Sequence, residues 1–168
     1  MASWDEDSIT LAVEASRIAL AGQDRDQIGV IHFASTTAPF ADRQNAGIIA
    51  TALALREDIG AADMGGSQRA ATTALIAAAH GLAAGTGASA LVCAADRRRA
   101  PAASTHELQF GDGGAAFLLS AEDGIARLLG HGSITTDFVD HFREPDRDHD
   151  YNWEERWVRD EGLKQIAP

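Results

Sequence analysis

The sequence predicts an α/β protein in which helices cover a mixed β-sheet. Short apolar runs rich in β-branched residues alternate with longer helix-type segments, which is the order that parallel strands joined by helices produce. Near the end of this pattern, a glycine-rich turn leads into a strand-type run, which indicates that the last strands of the sheet pair antiparallel. No strand-type run precedes the first helix, so the first strand of the expected sheet is missing from the pattern.

The first segment is predicted to be a helix. Ser3 and Glu6 have the spacing of a capping box, in which each side chain accepts a hydrogen bond from the other residue's backbone amide. Ile9 and Leu20 lie on one apolar stripe, and Gly22 is the expected stop. This segment therefore has a start signal, a buried face and an end signal.

The next two segments are predicted to be a strand and a helix. The run Ile28–Ala34, IGVIHFA, is apolar and bounded by polar loops, which is typical of a buried parallel strand. His32 within it is interpreted as a satisfied interior or edge histidine, because no second metal-binding residue type lies at a useful spacing. Asp42–Leu55 is the second predicted helix.

The segment Asp63–Gly85 is predicted to be a turn followed by a central helix. Two glycines permit a tight turn, and Ser67 can accept hydrogen bonds from the free amides of a helix start. The following residues are nearly all small or apolar, which predicts a helix that is buried on every side. Two interpretations are open: a packing helix, or a helix whose positive N-terminus faces a reactive carbonyl or an anion.

A second strand is predicted over Ala88–Ala94, and it ends in an arginine triplet. Cys93 within this strand is interpreted as a buried thiol with a raised pKa rather than as a nucleophile. The triplet Arg97-Arg98-Arg99 follows Asp96. It is equally consistent with a phosphate-binding group and with a solvated loop.

The remaining chain is predicted to complete the sheet and then to become rich in charged and aromatic residues. Gly111–Gly114 runs into a strand rather than the helix that a dinucleotide or P-loop fingerprint requires, so that reading is rejected. Further predictions are a loop over Pro101–Glu107, strands over Ala115–Leu119, Ile125–Leu129 and Ser133–Val139, and a helix over Trp153–Glu161 packed by its tryptophans. We therefore divide the chain into a half-domain at 1–140 and a charged, aromatic segment at 141–168.

Composition excludes several classes of function. The 168 residues carry a formal charge of −11, which opposes binding to nucleic acid and to anionic membranes. The single cysteine excludes an intramolecular disulfide and a cysteine-rich zinc cluster, which predicts a cytoplasmic protein. The sequence contains no secretory or transmembrane run. No metal site is predicted.

Blocks of residues along nearly the whole chain resemble the first half of bacterial and archaeal hydroxymethylglutaryl-CoA synthase-like proteins. These proteins belong to the thiolase superfamily, with the type III ketoacyl synthases. The resemblance rests on several blocks in the right order, which is more specific than any one motif. The blocks are residues 5–15, Phe33-Ala34-Ser35-Thr36-Thr37-Ala38-Pro39-Phe40, Gln44-Asn45-Ala46, Gly66-Ser67-Gln68-Arg69-Ala70-Ala71-Thr72-Thr73-Ala74-Leu75, Ala95-Asp96-Arg97-Arg98, Glu107, residues 110–116 and Trp153-Glu154-Glu155-Arg156.

The resemblance implies a fold of two duplicated halves, each a five-stranded sheet with flanking helices. In such proteins the central helix carries a nucleophilic cysteine at its start, where the helix dipole lowers the thiol pKa. In this sequence that position is occupied by Gln68, or by Ser67 if the register shifts by one. The loop in which the synthases place a glutamate acid/base reads Ser35-Thr36-Thr37, without a carboxylate. The histidine and asparagine of the site belong to the second half of the family fold.

Three hypotheses follow from the resemblance. The chain is a subunit of an acyl-CoA enzyme that makes or breaks a carbon–carbon bond, a catalytically silent scaffold, or a truncated fragment. We expect it not to be a stable monomer. It would work as a homo-oligomer, or with a thiolase-like subunit or a zinc-ribbon and OB-fold partner. Acyl-CoA is the implied ligand, with no separate cofactor. The predicted substrate-binding residues are Gln68, Arg69, Thr36, Thr37, Phe40, Arg97 and Arg98.

Gln68 itself allows two interpretations. The glutamine amide resembles an acylated cysteine, and non-acylating relatives with this replacement decarboxylate a substrate or shape a pocket for a catalytic partner. Alternatively, Gln68 is a polar helix-start residue without a chemical role. Either way, the resemblance implies that the isolated chain does not perform covalent acyl transfer.

Overall fold

The computed structural model describes residues 2–122 and 124–166. The chain divides into two compact units: residues up to Arg97 with Gly111–Arg127, and Arg98–Phe110 with the residues from Leu128 onward. The helices are α1 Ser8–Ala19, α2 Asn45–Ala52, α3 Ala70–Ala83, α4 Thr105–Gln109 and α5 Glu155–Ile166. The strands are β1 Ile28–Ala34, β2 Gly60–Met64, β3 Ser89–Arg97, β4 Asp112–Ser120, β5 His141–Phe142 and β6 Tyr151–Asn152.

The first unit is built on a mixed sheet, as predicted. Its strand order is β2-β1-β3-β4. Strand β1 runs parallel to β2 and β3, and β4 runs antiparallel to β3. The described residues thus place four strands in this sheet, where the resemblance implied five with the first one lacking.

Helices cover both faces of this sheet, which confirms the layered α-β-α arrangement. Helices α1 and α2 pack on one face, where Ile31 and Phe33 of β1 are almost completely buried. Helix α3 packs on the other face through Ala70, Ala74 and Ala78. Side chains of β1 contribute to the cores on both faces of the sheet, because successive residues of a strand point to opposite faces.

The first two helices begin later than predicted. Helix α1 is capped by Asp7 rather than Ser3, because Asp7 and Thr10 exchange hydrogen bonds in a capping box. Helix α2 begins at Asn45 rather than Asp42. Both starts are capped by a carboxylate that accepts from backbone amides of the first helical turn, and for α2 that carboxylate comes from a distant residue described below.

Strand β2 was not predicted from the sequence. Gly60–Met64 is poor in β-branched residues, and Asp63 was assigned to a turn. The segment becomes a strand because it pairs in parallel with β1 from Val30 to Ala34. Tertiary pairing therefore overrides weak local strand propensity.

The prediction that the central helix is buried on every side was wrong for this chain. Helix α3 begins at Ala70, and only Ala70, Ala74 and Ala78 are fully buried. Thr72 and Thr73 are exposed. One face of α3 packs on the sheet, while much of the rest is open or only partly covered.

Two predicted strands in the connection after β4 do not form. The segments Ile125–Leu129 and Ser133–Val139 have no regular secondary structure. Ile125, Leu129 and Ile134 are exposed to 110%, 92% and 63%, so these apolar residues have no core to join. By contrast, the predicted strands Ala88–Ala94 and Ala115–Leu119 are confirmed, and both are longer because β3 and β4 pair along their full lengths.

The second unit contains two short helices and a small ribbon. Helix α4 occupies part of the predicted Pro101–Glu107 loop, and α5 begins at Glu155 rather than Trp153 and continues to Ile166. Strands β5 and β6 pair antiparallel, and neither was predicted. Within the described part of the chain, no helix combines the length and apolarity needed to cross a bilayer.

Candidate functional site

Three neighbouring parallel strands bring polar residues to one edge of the sheet. Strands β1 and β2 lead into Ser35 and Gly65 at their carboxyl ends, and β3 ends in Asp96 and Arg97. This edge is where parallel α/β sheets hold their ligands. It contains five of the residues predicted to bind substrate, in or just after the strands: Thr36, Thr37, Gln68, Arg69 and Arg97.

Asp96 organises the loop after β1. Its Oδ1 atom accepts hydrogen bonds from Ser35 Oγ at 3.0 Å, from Thr36 Oγ1 at 3.1 Å and from the Thr36 backbone N at 2.7 Å. Thr37 Oγ1 donates to the same oxygen at 2.9 Å and accepts from the backbone N of Arg97 at 2.9 Å. One carboxylate thus fixes three consecutive hydroxyl residues and ties β1 to the end of β3.

The sequence did not single out Asp96 as a functional residue. The loop after β1 carries no carboxylate of its own, but β3 supplies one from 60 residues away. The available signal was the position of Asp96 at the end of a predicted strand, where parallel strands place polar residues together. The geometry makes Asp96 a positioning residue for this loop.

The turn after β2 lies against the same loop. Ser35 N donates to Met64 O at 3.0 Å, and a Cβ atom on Gly65 would lie 3.1 Å from Ser35 O. Gly66 has a φ of +75°, which favours glycine. These two glycines let the chain pass close to the Ser35 loop and turn into α3.

Ser67, Gln68 and Arg69 form the entry to α3. Ser67 Oγ accepts from Arg69 N at 3.1 Å, and Ser67 O accepts from Ala70 N at 3.0 Å. The predicted role of Ser67 in accepting from helix-start amides is therefore met at one amide. Gln68 is exposed and immediately precedes the N-cap residue Arg69. The helix N-terminus with its positive dipole end follows directly.

A second carboxylate, Asp63 in β2, holds the start of α2. Its oxygens accept from the backbone N atoms of Asn45 and Ala46, both at 2.7 Å, and from Asn45 Nδ2 at 2.9 Å. Asp63 in β2 thereby caps α2 from another element. The buried Asn45 also donates to Phe40 O at 3.0 Å. Phe40, a predicted substrate-binding residue, is 41% exposed and is held near the start of α2.

The three consecutive arginines that begin with the last residue of β3 have different partners. The Arg97 guanidinium donates to the backbone O of Glu6. Arg98, in the second unit, pairs with Asp150 and lies 4.9 Å from the centroid of the Phe110 ring. Arg99 is exposed, with its Nη1 at 3.8 Å from Asp148. Arg97 and Arg98 thus make packing contacts, and only Arg99 fits the description of a solvated loop residue. The prediction that Arg97 and Arg98 bind substrate stays a prediction.

Cys93 lies inside the core of the first unit, and His32 of the neighbouring strand is partly buried. Cys93 is 0% exposed, and burial raises the pKa of its thiol to about 12, as predicted for a structural cysteine. His32 differs from its prediction, because its buried Nδ1 has no hydrogen-bond partner among the described residues. Burial lowers the pKa of His32. The described residues contain no group of three or more His, Cys, Asp or Glu that could hold a metal ion.

Comparison with known proteins identifies the relatives of this chain. No family model matches it. The hydroxymethylglutaryl-CoA synthase of Methanocella arvoryzae is 35% identical over 146 residues, which is 86% of this chain and 42% of that protein. The synthase of Pyrococcus furiosus is 34% identical over 151 residues, covering 88% of this chain and 42% of its own length. This chain is related to the hydroxymethylglutaryl-CoA synthases. It spans about two fifths of the length of these curated relatives.

Solved structures of known proteins share the fold of this chain. A structure of MvaS in complex with 3-hydroxy-3-methylglutaryl coenzyme A superposes with a TM-score of 0.83 at 24% identity, over 92% of this chain and 38% of that one. A hydroxymethylglutaryl-CoA synthase complexed with CoA gives 0.79 at 21% identity, over 94% and 41%. OleA of Xanthomonas campestris with lauric acid and lauroyl-CoA gives 0.62 at 21% identity, over 70% and 41%. The fold of this synthase relative is therefore thiolase-like.

Proposed function

We propose that this synthase relative forms part of an acyl-CoA enzyme that makes or breaks a carbon–carbon bond. In this proposal the chain supplies the pocket wall at the carboxyl edge of its sheet, with Gln68 at the position of the nucleophile. The cysteine and histidine come from another polypeptide or another part of the assembly. Acyl-CoA is the substrate or ligand, and the single buried cysteine fits a cytoplasmic location.

The observation that carries the proposal is the position of Gln68 in a chain related to these synthases. Gln68 stands one residue before the N-cap of α3, at the helix start where the resemblance places the nucleophile. The neighbouring loop is held by Asp96, with Thr36 and Thr37 fixed beside it. A helix N-terminus stabilises the negative charge that develops on a thioester carbonyl under attack. The edge therefore retains an electrostatic feature of acyl transfer although the thiol is replaced.

Cys93 does not substitute for the replaced nucleophile. Its sulfur is buried in β3, and its thiol pKa of about 12 leaves almost no thiolate near neutral pH. Attack on a thioester requires the thiolate at the carbonyl carbon, with CoA leaving as its own thiolate. We therefore expect no acyl adduct on the wild-type chain.

The first test is a Gln68→Cys variant incubated with acetyl-CoA and followed by intact mass. A thiol at the start of α3 is expected to gain one acetyl group, and the wild-type chain is expected to gain none. Thr73→Cys, an exposed position within the same helix, is the matched control. Equal acetylation at both positions would mean that the helix start has no special reactivity, and an adduct on the wild-type chain would contradict the proposal directly.

The second test is co-purification of this chain from its own cells. The proposal expects a thiolase-like subunit with the catalytic cysteine and histidine, or a zinc-ribbon and OB-fold protein, in a fixed ratio with this chain. Sedimentation of the isolated chain is expected to show self-association rather than a sharp monomer. A chain that purifies alone as a monomer and binds no acyl-CoA would favour a silent scaffold instead.

A further inference from the structure

Half of the aromatic residues of the chain lie in one short segment. The sequence has three Trp, one Tyr and six Phe, and five of these ten residues fall between positions 138 and 157. This segment lies in the second unit. It does not include any residue of the sheet edge on which the acyl-CoA proposal rests.

The five rings form a continuous series of contacts, which we call the aromatic ladder. Phe138 stacks on Trp157 with centroids 5.1 Å apart, and Trp157 contacts Trp153 at 5.5 Å. Trp153 meets Tyr151 edge-on at 5.9 Å, and Tyr151 contacts Phe142 at 5.1 Å. These separations lie in the range of favourable aromatic pairs.

The ladder is open to solvent although it is apolar. Phe142, Tyr151, Trp153 and Trp157 are exposed to 46%, 54%, 47% and 41%, whereas the core residue Phe33 is exposed to 1%. Contiguous exposed aromatic surface of this kind marks interaction sites, and Trp and Tyr are the residue types that contribute most at protein interfaces. The ladder therefore has the composition of an interface.

Two sets of polar contacts hold the ladder in place, and the carboxylate of one of them is buried. Asp150, whose side chain is 4% exposed, pairs with Arg98 and lies 3.9 Å from Arg143. Trp153 N donates to Asp140 O at 3.0 Å, next to the β5–β6 ribbon. A surface that is ordered before binding loses less conformational entropy when a partner arrives.

Charge indicates which partner fits. Residues 137–161 contain ten Asp and Glu against four Arg, and Arg98 and Arg99 pair with two of these acids, so acidic side chains remain in excess. A nucleic acid or an anionic membrane would be repelled by this surface. A second copy of the chain would bring two acidic surfaces together, which is also unfavourable. A basic protein surface is attracted and can bury the rings.

We propose that the aromatic ladder is a docking surface for a basic segment of a partner protein. Apolar side chains of that segment cover the tryptophans, and its Lys and Arg pair with acidic side chains of residues 137–161. The proposal does not depend on acyl-CoA chemistry, and it holds for an enzyme subunit and for a scaffold alike.

The experiment is site-specific photocrosslinking in the cells that make the protein, on the full natural chain. The crosslinker replaces Tyr151 as Tyr151→p-benzoylphenylalanine, and Trp4→p-benzoylphenylalanine, at a site 90% exposed, is the control. We expect one protein to be captured at position 151 and not at position 4, through a peptide with net positive charge. Absence of capture overturns the proposal. A crosslink to a second copy, to the same chain, or to a neutral or acidic peptide also overturns it.

Binding of the captured, purified partner then tests the two parts of the surface. Trp153→Ser with Trp157→Ser is expected to weaken binding by about 30-fold or more, because central interface tryptophans are commonly worth that much. Trp4→Ser is expected to leave binding unchanged, and equal losses at both sites would contradict the proposal.

A second set of variants covers the case in which the tryptophan variant fails to fold. Asp137→Asn, Asp146→Asn and Glu155→Gln together remove three charges from exposed side chains and leave the rings intact. Binding is expected to weaken by roughly 3- to 10-fold and to lose much of its salt dependence. An unchanged affinity and salt dependence would exclude a basic partner.

Discussion

The carboxylate of Asp96 accepts a hydrogen bond from the backbone N of Thr36 at 2.7 Å. These two residues lie 60 positions apart, at the ends of the adjacent parallel strands β3 and β1. The contact converts a loop of small hydroxyl residues into a fixed structure at the carboxyl edge of the sheet. Gly65, which follows β2, lies against Ser35 of this loop, so the loop also borders the turn that leads into α3.

Replacing Asp96 is therefore expected to loosen this edge. Asp96→Ala leaves the hydroxyls of Ser35, Thr36 and Thr37 without their shared acceptor, which should lower the free energy of unfolding by about 1–3 kcal/mol. Urea denaturation measures the loss. Glu57→Ala, at an exposed position, is the matched control and should have little effect. Equal stability of the two variants would show that the network does not stabilise the fold.

Acid should destabilise the protein in part through His32. In the folded state, burial lowers the pKa of His32 below its ordinary value of 6.5. As the pH falls, the unfolded chain therefore takes up this proton before the folded chain does. Stability is then lost as the pH falls from about 6.5 towards the folded pKa. His32→Leu removes this contribution, so its free energy of unfolding should fall less steeply between pH 7 and pH 5. Parallel pH profiles for wild type and variant would contradict the assignment.

Alkali should act through Cys93. Burial raises the pKa of its thiol from 9.0 to about 12, so the unfolded chain loses the proton first. The contribution of this thiol to the free energy of unfolding is fully present below pH 9, and it is lost as the pH rises towards 12. Cys93→Ala should reduce that loss. In the folded protein at pH 8, iodoacetamide should leave Cys93 unmodified, and rapid alkylation without denaturant would refute its burial.

A close backbone contact at Gly29 should tolerate no side chain. A Cβ atom there would lie 2.4 Å from Thr86 O and 2.8 Å from the Cα of Gly87. Gly29→Ala must shift the backbone where β1 pairs with β3, and we expect a loss of about 1–3 kcal/mol in unfolding free energy. Gly113→Ala is the control in β4, because nothing lies within 4 Å of its Cβ position. Thermal unfolding of both variants distinguishes the two sites.

Local pattern was sufficient for some elements and insufficient for others. The runs at Ile28–Ala34 and Ala88–Ala94 were recognisable because buried strands carry continuous apolar sequence. Gly60–Met64 was not recognisable, because its strand character comes from pairing with β1. Ile125–Leu129 carries an apolar pattern without a partner strand, and there the pattern predicted a strand that does not form.

The sequence by itself determined the layered α/β class, the mixed sheet and the buried character of Cys93. Each of these depends on residue type and local order along the chain. Only the tertiary structure decided that Asp96 holds the Ser35-Thr36-Thr37 loop, that Asp63 caps α2, and that the aromatic ladder is exposed. The physical reason is that hydrogen bonds and burial depend on which residues meet in space, and these partners lie in separate elements of the chain.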